Sequence, residues 1–300
     1  MLGWRLVDSR VDVIHRLIDT HLPGYQVDTV TVLGSGVDNI AYEVNSELIV
    51  RFPREVDPAR RAALVEREAR LLAAVAVISP LPVPEPRFID ATEGCLAYRR
   101  LLGEPLLLFA QTASAAPIGT ALGGLLTALH GAPIRSLAGL VDLDTTPLTD
   151  WRDEAAAHYM AVAAEIPIAH RGPIEAFLDA PPPQDTYVPV FSHHDLGAEH
   201  VLVDPATWAV TGVIDWADAA IGDPAYDFGM IWRDLGSAAV DAALRRYPHH
   251  APGLQERAGW YARGTFFEDL AYGLHTGQNA YVTKNLAALS WLFPASAHRM

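Results

Sequence analysis

Phe191-Ser-His-His-Asp-Leu-Gly-Ala-Glu-His200 runs into Val201–Val203, the turn Asp204-Pro205-Ala206-Thr207 and a second apolar run, Ala209–Ile214, followed by Asp215-Trp216. Two short β-branched runs around Asp, Pro and Thr predict a hairpin. Pairing residue 204 with 208 sets His200 opposite residue 212, so His200 and Asp215 emerge at the open end of the hairpin, with Asp195 just upstream. Four polar groups, His193, Asp195, His200 and Asp215, thus converge within apolar surroundings.

That set suits phosphoryl transfer. One carboxylate orients an attacking hydroxyl and accepts its proton, while an Asp and one neighbouring ligand hold Mg²⁺ against nucleotide phosphates. Further toward the N-terminus, Leu33-Gly-Ser-Gly-Val-Asp-Asn39 places a glycine-bearing turn between two strands. Glycines let backbone N–H groups approach phosphates closely. The strand Leu48–Phe52 carries Arg51, and the helix after it carries Glu66 and Glu68, so an Arg–Glu pair would fix a positive charge beneath the turn.

The remaining pattern predicts two regions. A helix over Val11–Leu22 precedes three strands, Val30–Leu33, Ile40–Val44 and Leu48–Phe52, whose short loops imply an antiparallel meander. Asp57-Pro58 opens a helix through Val75 that the Pro80–Pro86 cluster ends, and Arg87–Asp90 and Cys95–Arg99 read as two more strands. Beyond residue 103 the periodicity becomes helical at Ile118–Leu129, Trp151–Glu165, Ile174–Leu178, Gln255–Gly273 and Thr283–Leu292. Asp223-Pro224 reads as a helix start, with Asp223 as its cap.

Composition narrows the partners. The 300 residues carry a net charge of −14, with 50% apolar and 19% charged positions. Residues 1–103 account for only −2 of it, and residues 104–300 for −12. Such a surface repels nucleic acid and favours cations. Lys284 is the only lysine among 22 basic residues, which excludes a phosphate loop of the Gly-Lys-Ser/Thr kind. Cys95, the only cysteine, excludes an intramolecular disulfide and a multi-thiolate zinc site, and reads as a core residue. Neither a leader-like apolar stretch near Met1 nor a run of ~20 apolar residues is present, so the expectation is a soluble, cytoplasmic protein with no membrane partner. The doublets His193-His194 and His249-His250 lack the i, i+4 spacing of a zinc hydrolase.

His193-x-Asp195-x₄-His200, Ile214-Asp215-Trp216 and Gly222-Asp-Pro-Ala-Tyr-Asp227 together resemble the aminoglycoside phosphotransferase family, a branch of the protein-kinase-like fold. The closing His200 and the strand Leu48-Ile-Val-Arg-Phe-Pro-Arg54 are more similar to macrolide phosphotransferases. The likeness runs from about Val32 to Trp232. It implies an α+β, two-lobe fold: a small antiparallel-sheet lobe with a helix over residues 1–103, binding nucleotide, and a larger, mainly helical lobe over 104–300, holding the catalytic loop and substrate site.

The resemblance also implies roles. Asp195 would be the catalytic base, Asp215 and His200 metal ligands, and His193 and Asp227 structural supports of the loop. Gly34, Ser35 and Gly36 would cover the phosphates, and Tyr98, Arg99, Arg100 and Leu101 would form the hinge that bonds the purine. Arg51 stands where the family carries a lysine, with Glu68 as the favoured partner and Glu66 as the alternative. His194 replaces the usual glycine. Candidate acceptor contacts on a late helix are Phe267, Glu268 and Asp269, with Phe266 beside them. The implied activity is a monomeric antibiotic O-phosphotransferase using Mg²⁺ with GTP or ATP. Its acceptor would be a cationic macrolide or aminoglycoside, inactivated to give resistance. A kinase of a nucleoside, sugar or amino alcohol, or a non-catalytic nucleotide binder, is the competing reading.

Overall fold

The computed structural model describes residues 2–35, 39–109, 114–249 and 252–295. They divide into two compact units, Met1–Val77 with Val83–Leu101, and Ile78–Pro82 with Leu102–Met300.

In the first unit, α1 (Leu2–His21) precedes β1 (Val30–Ser35), β2 (Asn39–Val44) and β3 (Leu48–Pro53). Then come α2 (Pro58–Ile78), β4 (Pro86–Asp90) and β5 (Cys95–Arg99). The five strands form an antiparallel sheet in the order β1-β2-β3-β5-β4. The expected meander is therefore present, and β5 inserts beside β3. Ile14, Leu17 and Ile18 of α1 pack on Tyr42, Val44, Val50, Phe52, Phe88 and Ala97. Cys95 lies in the same core, where burial pushes its thiol up to about 12. It is a packing residue, inert at neutral pH.

The second unit comprises β6 (Glu104–Pro105), α3 (Ala115–His130), β7 (Asp142–Leu143), α4 (Leu148–Val162), α5 (Ile168–Asp179) and β8 (Val190–Ser192). It continues with β9 (Val201–Val203), β10 (Val210–Val213), β11 (Ala220–Gly222), α6 (Ala225–Leu235), α7 (Ser237–Arg246), α8 (Leu254–Thr276) and α9 (Asn279–Leu292). Two three-stranded sheets, β10-β9-β6 and β7-β11-β8, frame the segment between β8 and β9. Helix α3 meets α7 almost backbone to backbone: a Cβ on Gly119 would lie 2.2 Å from the Ala239 carbonyl, and one on Gly123 2.4 Å from that of Ala243. The other core joins α4, α5, α8 and α9 around Phe266, Phe267, Leu270, Leu289 and Phe293.

The hairpin differs from expectation in register. Asp204 N–H bonds the Ala209 carbonyl, and a bulge between Val210 and Gly212 sets Gly212 opposite Leu202 and Val213 opposite Val201. His200 therefore faces Ile214, whose N–H it accepts at 2.9 Å, and Asp215 follows at once. Among the described residues no helix is long and apolar enough to cross a membrane.

Candidate active site

Strand β8 delivers the segment Ser192–His200, and its pairing with β11 ties that segment to the start of α6. His193 is fully buried against Trp216, ring centroids 4.5 Å apart. Its Nδ1 accepts the Asp195 N–H at 3.2 Å, so the proton sits on Nε2, 3.0 Å from the Ile214 carbonyl. Burial lowers this imidazole to about 4, keeping it neutral. His193 is thus a strut between the two halves of the site.

Asp195 presents its carboxylate beside His200, whose Nδ1 lies 2.9 Å from the Asp195 backbone carbonyl and 3.3 Å from its side chain. The Asp195 side chain is 36% exposed, enough to meet an acceptor from solution. Partial burial raises its carboxyl, His200 opposes this, and Glu199 and Asp218 add to the rise. The carbonyl can only accept, so His200 donates from Nδ1 and points Nε2 toward Asp215 Oδ2, 3.8 Å away. Burial disfavours the charged imidazole, but Asp195, Glu199 and Asp215 together outweigh that and raise it. Asp215 adopts φ +60°, a left-handed conformation that Asp tolerates better than most residues.

These residues suit a divalent cation. Asp195, Glu199 and His200 each bring a ligand atom within 4.8 Å of the others, and Glu199 Oε2 is buried with no hydrogen-bond partner. Glu199 was not singled out in the sequence, although it adjoins His200. Its carboxyl folds back over Gly197, where a Cβ would lie 2.5 Å from it. An imidazole among carboxylates is a softer set than Mg²⁺ prefers.

Helix α6 holds the loop at two points. Asp227, fully buried, accepts the N–H groups of His193 and His194, each at 2.9 Å. Burial alone would raise its carboxyl; the neighbouring His130, His193 and His194 lower it instead. Asp234 accepts the Ala198 N–H at 2.7 Å and is gripped in turn by Arg233 and Lys284. Sequence reading missed Asp234; its signal was the seven-residue spacing from Asp227, two turns along one helix face. Asp223 accepts the Ala225 N–H, but its carboxylate is chiefly committed to a buried ion pair with Arg257.

His194 has φ +63°, which accounts for glycine being the simpler residue there. Its ring stacks on Tyr226 at 4.2 Å and its Nε2 lies 3.2 Å from Asp144, contacts that offset the backbone strain. Asp144 too escaped the sequence reading, since it is distant in the chain and belongs to no motif.

Two of the three candidate acceptor contacts require correction. Phe267 is wholly enclosed in the core among Tyr159, Phe266 and Phe293, and Phe266 is enclosed likewise. Asp269 is buried and accepts from Lys284 and Asn285. Helix α8 is covered on most of its faces, so neither can meet a ligand. Glu268 alone of the three is exposed.

In the first unit, Arg51 Nη1 donates to Glu68 Oε1 at 2.9 Å, whereas Glu66 is exposed. Gly34 and Ser35 close β1; Gly36 lies outside the described residues. Tyr98 and Arg99 end β5, opposite Ile49 and Leu48 of β3. Arg100 pairs with Glu43 at 2.8 Å, and Leu101 closes the unit. His249 is exposed, and His250 lies outside the described residues.

Residues 29–260 match the model of the phosphotransferase enzyme family. The viomycin phosphotransferase of Streptomyces vinaceus is 28% identical over 282 residues, 87% of this chain and 91% of that protein. A shorter match, 32% identical over 113 residues, covers 35% of this chain and 36% of the uncharacterized protein YcbJ of Bacillus subtilis (strain 168). Among solved structures, the macrolide 2'-phosphotransferase MphH from Brachybacterium faecium is 27% identical with a TM-score of 0.63, covering 93% of this chain and 98% of that one. A GDP complex of aminoglycoside 2'-phosphotransferase-IIIa is 20% identical with a TM-score of 0.67, covering 92% and 96%. A family match over most of the chain, with the kinase-like fold, places this protein in the phosphotransferase enzyme family of small-molecule kinases.

Proposed function

We propose that the protein transfers the γ-phosphate of GTP or ATP to a hydroxyl of a cationic antibiotic, a macrolide or an aminoglycoside, and so inactivates it. The observation that carries the reading is His200: held by the Asp195 carbonyl, it offers Nε2 toward Asp215 while the Asp195 carboxylate stays open beside it. In this reading Asp195 orients the acceptor hydroxyl and takes its proton. His200 and Asp215 would hold a divalent cation, which when bound neutralises phosphate charge. Arg51, fixed by Glu68, supplies a permanent positive charge to the nucleotide unit.

Two features favour a cationic acceptor. Asp218, Glu154 and Glu268 are exposed, Asp218 acting on Asp195 and Glu154 on Glu268. The excess negative charge of the chain also falls after residue 103. The macrolide class is favoured by His200 in the loop and by 27% identity to MphH. Purified protein with Mg²⁺ and either nucleotide, assayed on erythromycin, kanamycin and viomycin, should phosphorylate erythromycin or kanamycin, and Asp195→Ala should abolish the activity. Turnover of viomycin alone would shift the antibiotic class. Phosphorylation only of a sugar, nucleoside or amino alcohol would move the substrate class, and turnover surviving Asp195→Ala would remove the assigned base.

A further inference from the structure

Lys284 is the only lysine of the chain, and it is 2% exposed. Its Nζ donates to Asp234 Oδ1 and to Asp269 Oδ2, each at 2.5 Å. Arg233 grips the same Asp234 through Nε at 2.7 Å and Nη2 at 3.0 Å, and lies 4.0 Å from Asp269. Two cations and two carboxylates are thus paired in a buried cluster, with the Glu199 carboxyl acting on it from the catalytic loop, and Asn285 satisfies Asp269 further at 2.7 Å. Removing one member of such a cluster leaves an uncompensated charge, which buried sites tolerate poorly. A compact ammonium suits the position because the planar guanidinium of Arg233 already occupies one side of Asp234.

One contact leads out of the cluster to the reaction. Asp234 Oδ2 accepts the N–H of Ala198, midway between Asp195 and His200. We propose that Lys284, on the C-terminal helix α9, is a positioning residue that acts through Asp234 to fix the loop carrying Asp195 and His200. Lys284 does not touch the reacting groups. With Lys284 in place, Arg233 is committed to Asp234 and the Ala198 bond is held. Without it, Arg233 must be shared with the orphaned Asp269, Asp234 is released, and the loop loses its second anchor while Asp227 keeps the first.

The proposal rests on the phosphotransfer reading of Asp195, and the test separates the two. Lys284→Met and the double variant Lys284→Met/Asp269→Asn are compared with the wild type on the probe that it phosphorylates, with amide hydrogen exchange of residues 195–200. In the single variant kcat should fall at least tenfold with acceptor KM within about twofold, since a displaced base slows chemistry more than binding. Exchange at Ala198 should rise. The double variant, in which Arg233 again serves Asp234 alone, should recover kcat to within about threefold of wild type. Unchanged kcat in the single variant, or a double variant as impaired as the single one, would overturn the proposal.

If the single variant does not fold, the double variant still decides it. Should no probe be phosphorylated, the reading of Asp195 fails, and exchange at Ala198, compared between wild type and the Lys284→Met and double variants, decides positioning by itself. A rise of at least tenfold in the single variant that the double variant reverses supports the clamp; equal rates overturn it.

Discussion

Asp227 and Asp234 stand seven residues apart on α6, and each accepts backbone N–H groups from the loop that carries Asp195, the first from His193 and His194, the second from Ala198. A loop placed by two buried carboxylates keeps its shape without a ligand. Replacing Asp227 by Asn keeps the size but turns a donor toward one of the two N–H groups. The expected cost is about 2–3 kcal/mol of stability, from the loss of a buried charged acceptor. Thermal denaturation measures it, and kcat should fall with it.

Asp195→Asn preserves shape and removes the base. The turnover number is expected to fall about 10²–10⁴-fold, the usual worth of a positioned proton acceptor. Circular dichroism and Tm should stay close to wild type, because the side chain is partly open to solvent and a carboxamide oxygen can keep the contact with His200 Nδ1.

His200→Asn exchanges an imidazole for a harder oxygen donor. The apparent affinity for Mg²⁺ should improve relative to that for Mn²⁺, since carboxamide oxygen suits Mg²⁺ better than nitrogen does. Titrating turnover with each metal tests this; an unchanged ratio would show that His200 is not a ligand.

The pair of Asp144 with His194 makes stability depend on acid. His194, first, and the Thr146 N–H hold the Asp144 carboxyl near 2, against the upward push of partial burial. A carboxyl lowered by folding stabilises above its unfolded value and loses that contribution as pH falls through the folded one. Asp144→Asn should therefore be less stable than wild type by about 1–2 kcal/mol at neutral pH, a figure reduced for partial exposure. Between about pH 4 and pH 2 the difference should vanish. Urea denaturation across that range is the measurement.

Glu268→Gln removes an exposed carboxylate without disturbing the core. If the acceptor is cationic, its KM should rise about two- to fivefold, the effect of one screened charge pair, with kcat unchanged. Wild-type KM should also rise with salt.

How much of this was legible depended on periodicity and on neighbourhood. Asp195, His200 and Asp215 could be brought together because a short hairpin joins them, although the bulge at Val210 shifted its register beyond what turn chemistry specifies. The sheet of the first unit could be read because its strands alternate with short turns. Helix α6 could be read only at its start, Asp223-Pro224: Ala225–Met230 are all buried, so no apolar stripe marks a period, and Gly229 weakens its propensity further. The same burial concealed that Phe267 and Asp269 face inward. Ion pairs such as Asp234 with Lys284 and Asp144 with His194 join residues about 50 apart, and only tertiary packing reveals them.

Cys95 and Lys284 are each the single residue of their kind, and both are sealed from water. The folded surface therefore offers no side-chain thiol or primary amine to a labelling reagent. A cysteine introduced at an exposed position of either unit, Val56 or Met160 for example, becomes a unique chemical handle. A dye pair attached to two such sites could follow the two units through a catalytic cycle with no prior removal of native cysteines.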